Sequence, residues 1–191
     1  MKIRQLRESD ISKLSLLHIQ SLPHTVSSKI GKFYLECIYK SVIKNKKNNF
    51  SLVATNNKHI IGVIVATTSL PIFQSDVKKE LFLIGYMQIF ISLVSRKYFL
   101  IELIKRVKFE NQLTKQYMDK YATIVILFTD VKFRKKGVAT KLTKETIKFY
   151  KGKVDNIYVD TLINNHTAQK FYKSMGFSKI NKVDSSILFK K

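Results

Sequence analysis

The sequence predicts a mixed α/β (α+β) fold, and three features of its patterning carry that prediction. Short strand-like runs recur along the chain, by alternation at Lys2 to Leu6, and also at Ser51 to Ala54, His59 to Thr67, Ala122 to Phe128 and Asn156 to Asp160, the last three rich in β-branched and aromatic residues. Between several of them lie segments with apolar residues three and four apart, which open on Ser, Asp or Asn and close on Pro or Gly. Finally, 45% of the 191 residues are hydrophobic, while two prolines and six glycines leave no linker-like stretch. One domain spanning 1–191, with a substantial core, is therefore expected.

The elements can be justified in order. Lys2 to Leu6 alternates as a first strand. Ser9 or Asp10 caps a helix through Ile11, Leu14, Leu17 and Ile19 that Pro23 closes, and Ser27 or Ser28 opens another reaching about Ile43. Cys37 lies in that second pattern with Ile30, Phe33, Tyr34 and Val42, so burial is expected of it and not nucleophilic work. Ser51 to Ala54 and His59 to Thr67 form a hairpin around Asn56, Asn57 and Lys58. A helical insertion of about 70–120 follows. Leu81 to Val94 is apolar almost all round, and Phe99, Leu100, Leu103 and Val107 make one face opposite Glu102, Lys105 and Arg106, which reads as two helices. The first run is shorter than the roughly 20 residues a membrane span needs. Burial against the sheet or a partner subunit is expected of it ahead of membrane contact. After the insertion come strand Ala122 to Phe128, helix Val138 to Tyr150, strand Asn156 to Asp160, helix Asn165 to Met175, and terminal strands near Phe177 to Ile180 and Ser185 to Phe189.

The run Arg134, Lys135, Lys136, Gly137, Val138, Ala139, Thr140 stands between a strand and a helix. Gly137 removes the Cβ where backbone would approach phosphate oxygens, Ala139 keeps the next turn small, and Arg134 adds a planar cation. Successive amides at a helix N-terminus favour an anion there. A solvated basic turn would carry the same pattern, so the loop alone does not decide. Arg occurs at only five positions in a Lys-rich chain, which lends Arg134 weight.

In the segment from Asn165 to Phe177, Asn165 can cap a helix whose apolar face holds Ala168, Phe171, Tyr172 and Met175, and Gly176 stands where a helix stops in left-handed geometry. Periodicity alone makes Tyr172 a core aromatic. The two segments in this order resemble the GCN5-related N-acetyltransferase family, with Asn165, Ala168, Tyr172, Gly176 and Phe177 matching its N-x-x-A-x-x-x-Y-x-x-x-G-F pattern. The resemblance implies a single domain with a central mixed, mostly antiparallel twisted sheet flanked by helices. It implies acetyl-CoA as cosubstrate and a primary amine as acceptor. It also implies that the backbone of Leu127, Phe128 and Thr129 holds the pantetheine arm where the strand splays from its neighbour. Arg134 through Thr140, Asn165, Ala168 and Tyr172 complete the expected cofactor contacts, and Tyr172 is expected to protonate the departing thiolate. A phenol with an ordinary pKa of about 10 suits that role.

The family often carries a Glu on the same strand as base, and Ile124 to Phe128 contains no carboxylate. Asp130, Asp160, His18, His24 and Glu8 are candidates without a spacing that singles one out, and ordered water is an alternative. No clustered His and Cys has metal-ligand spacing, so no metal is expected. One Cys gives no intramolecular disulfide, and the N-terminus lacks a signal-like apolar stretch, so a mature start in the cytoplasm is expected. The net charge of +22 is spread along the chain and reads first as a solvated surface. If it reports on substrate, it favours an acidic acceptor such as a nucleotide-linked amino sugar. A nucleic-acid partner is not expected, because no basic stripe interleaved with aromatics is found. Peripheral membrane contact or a homodimer through the insertion stays open. A catalytically inactive module of the same fold, using its basic surface and apolar insertion to bind nucleic acid or membrane, is the second reading.

Overall fold

The computed structural model describes residues 1–57, 59–82, 120–183 and 186–191. Seven strands form one sheet in the order β1-β2-β3-β4-β5-β7-β6, with β1 Lys2–Gln5, β2 Asn49–Asn56, β3 His59–Thr67, β4 Tyr121–Thr129, β5 Asn156–Leu162, β6 Ser178–Val183 and β7 Ser186–Lys190. β4 and β5 are parallel, and every other neighbouring pair is antiparallel. The helices are α1 Ile11–Ser21, α2 Val26–Ile30, α3 Lys32–Lys44, α4 Leu70–Phe82, α5 Val138–Tyr150 and α6 His166–Ser174. The mixed, mostly antiparallel sheet flanked by helices is the expected fold.

Period-two alternation sorts the core onto the two faces of the sheet. Leu52, Ala54, Ile64, Ala66, Ile124 and Val159 face one way and pack with Val138 and Leu142 of α5 and Tyr172 of α6. Val53, Val63, Val65 and Phe128 face the other way, against Leu14 of α1, Leu35, Ile38 and Tyr39 of α3 and Val77 of α4. Gly62 is the exception that brings α5 close. A Cβ there would stand 2.9 Å from Val138 Cγ1 and 3.0 Å from the Phe128 carbonyl oxygen, so glycine permits the start of α5 to seat directly on β3 and β4.

Three expectations need correction. The helix expected from Ser27 or Ser28 to Ile43 is two helices, because Gly31 adopts φ 116° and breaks it; the first is opened by Thr25, whose side chain accepts from the Ser28 amide. Asp10 precedes α1 without capping it through its side chain. Its carboxylate instead takes Arg4 at 2.6 and 2.8 Å and the Arg7 amide at 2.9 Å. Within the insertion, a helix already begins at Leu70, where Pro71 suits a first turn and the Ser69 hydroxyl accepts from the Ile72 amide. The two helices expected over 81–107 lie, beyond Phe82, outside the described residues. No helix among the described residues is long and apolar enough to cross a membrane. Cys37 is buried, as expected, and burial raises its thiol pKa.

Candidate functional site at the break between β4 and β5

The parallel ladder of β4 and β5 runs from Tyr121–Asn156 to Ile124–Val159 and ends there. β5 continues by pairing with β7, while β4 continues along β3 to Thr129. Val125 through Thr129 thus present an open edge toward β5. The opening starts at a bulge: Val65 pairs with Ile126 and Ala66 with Ile124, which leaves Val125 as the extra residue. The bulge resets the alternation, so Val125, Ile126 and Phe128 pack on one face and Leu127 on the other. Leu127, Phe128 and Thr129 occupy the open stretch. Thr129 is buried there, and its hydroxyl has no hydrogen-bond partner among the described residues.

β4 leads into the basic loop. Asp130 accepts from the Lys132 amide at 2.9 Å and starts a one-turn 3-10 helix over Val131–Phe133. Its carboxylate is thus occupied as a turn former. Lys135 is left-handed at φ 59° and so is Gly137 at φ 75°. The first helical bond of α5 runs from the Lys141 amide to the Gly137 carbonyl, 3.0 Å, and Gly137 supplies no side-chain cap. None of the six amides from Lys135 through Thr140 has a short, well-aligned acceptor among the described residues, although Arg134 to Gly137 form a turn. A Cβ on Gly137 would meet nothing within 4 Å, so the space above the loop is open. Val138 is buried in the core, Ala139 and Thr140 are half-buried, and Lys136 lies over the Phe133 ring at 5.1 Å. Arg134 is exposed, and its Nη2 donates to the Ser21 carbonyl at 2.8 Å.

α6 shows why its sequence pattern has that spacing. Asn165 Oδ1 accepts from the Ala168 amide at 3.1 Å and opens the helix. At the other end Gly176, at φ 81°, lets the Gly176 amide reach the Lys173 carbonyl and the Phe177 amide reach the Tyr172 carbonyl, each at 3.0 Å. This is a Schellman stop, and the hydrophobic contact that accompanies it is Phe177 on Tyr172, ring centroids 5.7 Å apart. Phe171 and Phe189 flank the same ring at 5.3 and 6.0 Å. Cap, stop and cluster together fix Tyr172, which is 6% exposed. Its hydroxyl takes no hydrogen bond among the described residues and is not one of the fully enclosed unpaired atoms. Burial first, and then the charge of Asp160, raise its pKa well above the usual tyrosine value, so the phenol holds its proton at any physiological pH.

The candidate bases separate. Glu8 and His24 are exposed on either side of α1. His18 is buried on α1, bonded through Nδ1 to the Tyr39 hydroxyl at 2.7 Å, and its ring lies 4.9 Å from that of Phe128 in the open stretch. Burial lowers its pKa to about 4, so it is neutral near pH 7. Asp160 is half-buried on β5 and is the carboxylate whose charge is felt at Tyr172. Among the described residues no group of three or more His, Cys, Asp and Glu is arranged to hold a metal.

Three contributors escaped the sequence reading. The Val125 bulge had a faint signal, five apolar residues in a row from Ile124 to Phe128 that blur alternation. Gly62 had another, a glycine inside a strand pattern. The Ser21 carbonyl, being backbone, had none.

The family model described as "Acetyltransferase (GNAT) family" matches residues 14–177. No curated protein matches the chain. Among solved structures, the PaiA N-acetyltransferase of Thermoplasma acidophilum in complex with coenzyme A is 14% identical with a TM-score of 0.62, covering 100% of this chain and 97% of that one. NAA60 of Arabidopsis thaliana in complex with acetyl-CoA is 19% identical with a TM-score of 0.61 and the same coverages, 100% and 97%. The ribosomal-protein-S18-alanine N-acetyltransferase of Escherichia coli is 12% identical with a TM-score of 0.59, covering 99% and 91%. At these identities the structural matches speak for the fold, and the family match over most of the chain speaks for descent: the chain belongs to the GNAT acetyltransferase family.

Proposed function

We infer that the protein is an N-acetyltransferase that moves the acetyl group of acetyl-CoA to a primary amine of a small acceptor by direct attack, without a covalent enzyme intermediate. The observation that carries this reading is the row of six amides, Lys135 to Thr140, without a well-aligned acceptor among the described residues, at the start of α5 and set directly after the open stretch of β4. Such a row suits a pyrophosphate, and an open strand edge suits the amides of a pantetheine arm. The coenzyme complexes of the PaiA enzyme and NAA60, which share the fold, support the same assignment.

Bound acetyl-CoA supplies the acetyl group as a thioester. The backbone of Leu127, Phe128 and Thr129 orients the arm. Arg134 through Thr140 take the phosphates, with Gly137 and Ala139 keeping the approach clear. Asn165 and Ala168 set the start of α6, and α6 presents Tyr172. When the new C–N bond forms and the C–S bond breaks, the Tyr172 phenol passes its proton to the departing sulfur. The raised pKa of Tyr172 suits it to giving a proton and unsuits it to taking one from the amine. Water is the simplest carrier for the amine's proton, because Asp130 is engaged in its turn and His18 is a weak base.

The net charge of +22 favours an acceptor that carries negative charge of its own, such as a nucleotide-linked amino sugar, over a polyamine. The test is titration of acetyl-CoA by calorimetry at moderate salt, followed by a mass-spectrometric screen of amine acceptors with amino sugars first. Saturable binding and an acetylated amino sugar are expected. A folded protein that does not bind acetyl-CoA would sink the reading.

A further inference from the structure

We propose that Arg134 is a positioning residue, tying the phosphate loop to the last turn of α1 and so setting that turn, with His18, along the open stretch of β4. The functional meaning of the tie rests on the acetyl-CoA reading above. The tie itself is a single hydrogen bond, Arg134 Nη2 to the Ser21 carbonyl at 2.8 Å, between residues 113 apart in the chain. Ser21 is the last residue of α1, and its carbonyl is one of the four that a helix leaves unpaired. A guanidinium there completes that carbonyl and faces the negative end of the helix dipole.

The rest of the turn explains what the tie controls. One turn back along α1, the His18 carbonyl accepts from the Leu22 amide at 2.8 Å, and the His18 ring rests on Phe128 of β4. The last turn therefore touches the loop at Ser21 and the open strand at His18, on the sheet face opposite α5. The buried Ser21 hydroxyl makes no hydrogen bond among the described residues, so the carbonyl tie is the polar contact its side of the turn makes with the loop. Arg134 has five N–H donors and uses one here, which leaves the others for an anion on the loop. An anion held by the remaining donors fixes the guanidinium in place and so orders the Ser21 carbonyl it bonds. Occupancy of the loop is thereby felt by α1, and by linkage a ligand that orders α1 strengthens binding at the loop.

Hydrogen exchange at the Leu22 amide reads the tie, in wild type and Arg134→Ala, without ligand and at acetyl-CoA concentrations that calorimetry shows to be saturating. Because Arg134 is exposed, the variant folds. Ligand-free Arg134→Ala is expected to exchange about tenfold faster at Leu22, the effect of losing one charge-assisted hydrogen bond. Acetyl-CoA is expected to slow Leu22 exchange in the wild type and to leave it unchanged in the variant. Equal ligand-free exchange in the two proteins, or an equal response to saturating acetyl-CoA, overturns the proposal. Calorimetry showing no binding to the wild type overturns the cofactor reading and the coupling with it, and the ligand-free comparison tells that failure apart from a missing tie.

Discussion

Replacing Gly137 by Asp tests the loop most directly, and replacing it by Ala supplies the control. Gly137 sits at φ 75° and ψ 6°, where a side chain costs about 1 kcal/mol. A Cβ would meet nothing within 4 Å, so neither variant suffers a clash, and both should unfold at similarly lowered temperature. What separates them is charge. A carboxylate roughly 5 Å from a pyrophosphate charge repels it by about 1 to 3 kcal/mol, depending on whether the effective dielectric is that of water or of a protein surface. That is about a fivefold to 150-fold loss of acetyl-CoA affinity. The alanine variant, carrying strain without charge, should lose less than about tenfold. Calorimetry near physiological salt keeps attraction to the +22 chain from masking the difference. Wild-type affinity in Gly137→Asp would refute the placement of the pyrophosphate. Equal losses in Asp and Ala, with equal melting temperatures, would refute the electrostatic argument.

Tyr172→Phe preserves the ring that Phe171, Phe177 and Phe189 hold, so acetyl-CoA affinity should change little while the transfer rate falls about a hundredfold or more; an affinity loss matching Gly137→Asp would contradict the assignment. His18 has a folded pKa of about 4 against an ordinary 6.5, so the unfolded chain takes its proton first as pH falls. Stability is then present above pH 6.5 and lost toward pH 4 by about 3 kcal/mol, and urea unfolding should show that slope flattened in His18→Gln; an unaltered slope would assign it elsewhere. Gly62→Ala, whose Cβ would press within 2.9 Å of Val138 Cγ1 and 3.0 Å of the Phe128 carbonyl, should cost about 1 to 3 kcal/mol of stability and weaken acetyl-CoA binding without touching it; a wild-type melting temperature would contradict that packing argument.

The readable parts of this molecule are those whose determinants are local. α5 begins at Val138 and ends at Tyr150, as its spacing predicts, and α6 is bounded by an Asn165 cap and a Gly176 stop that need no tertiary information. Tyr172 belongs to that readable class, because the Schellman stop that orients it is written in Gly176 and Phe177. Where pairing partners decide the outcome, the sequence carries at most a faint signal. The Val125 bulge depends on how β4 registers against β3, and the break with β5 on where β4 and β5 part after the Ile124–Val159 pair. Gly31 belongs between the two classes: the residue is visible, but one glycine inside a helical pattern does not announce a break. Arg134 shows the same limit from the side of function. Its residue type suggests a phosphate ligand, and the backbone oxygen it bonds could be found only by folding the chain.

The two faces of the sheet divide the chemistry between them. α5 and α6 pack on one face, where α5 follows the loop of amides and α6, opened by the Asn165 cap, carries Tyr172. α1 packs on the other face, and its last turn reaches the same break by contacts with Phe128 and Arg134, neither of which lies near it in sequence. The groups proposed to bind the cofactor and to protonate the leaving group thus come from segments whose ends are set by short-range signals. The α1 side is assembled from long-range contacts. Substitutions in its last turn should therefore alter the acceptor side of the break while the phosphate loop keeps its backbone conformation. This division accounts for a chain whose family membership is legible from two short motifs, while its candidate base and its acceptor are not.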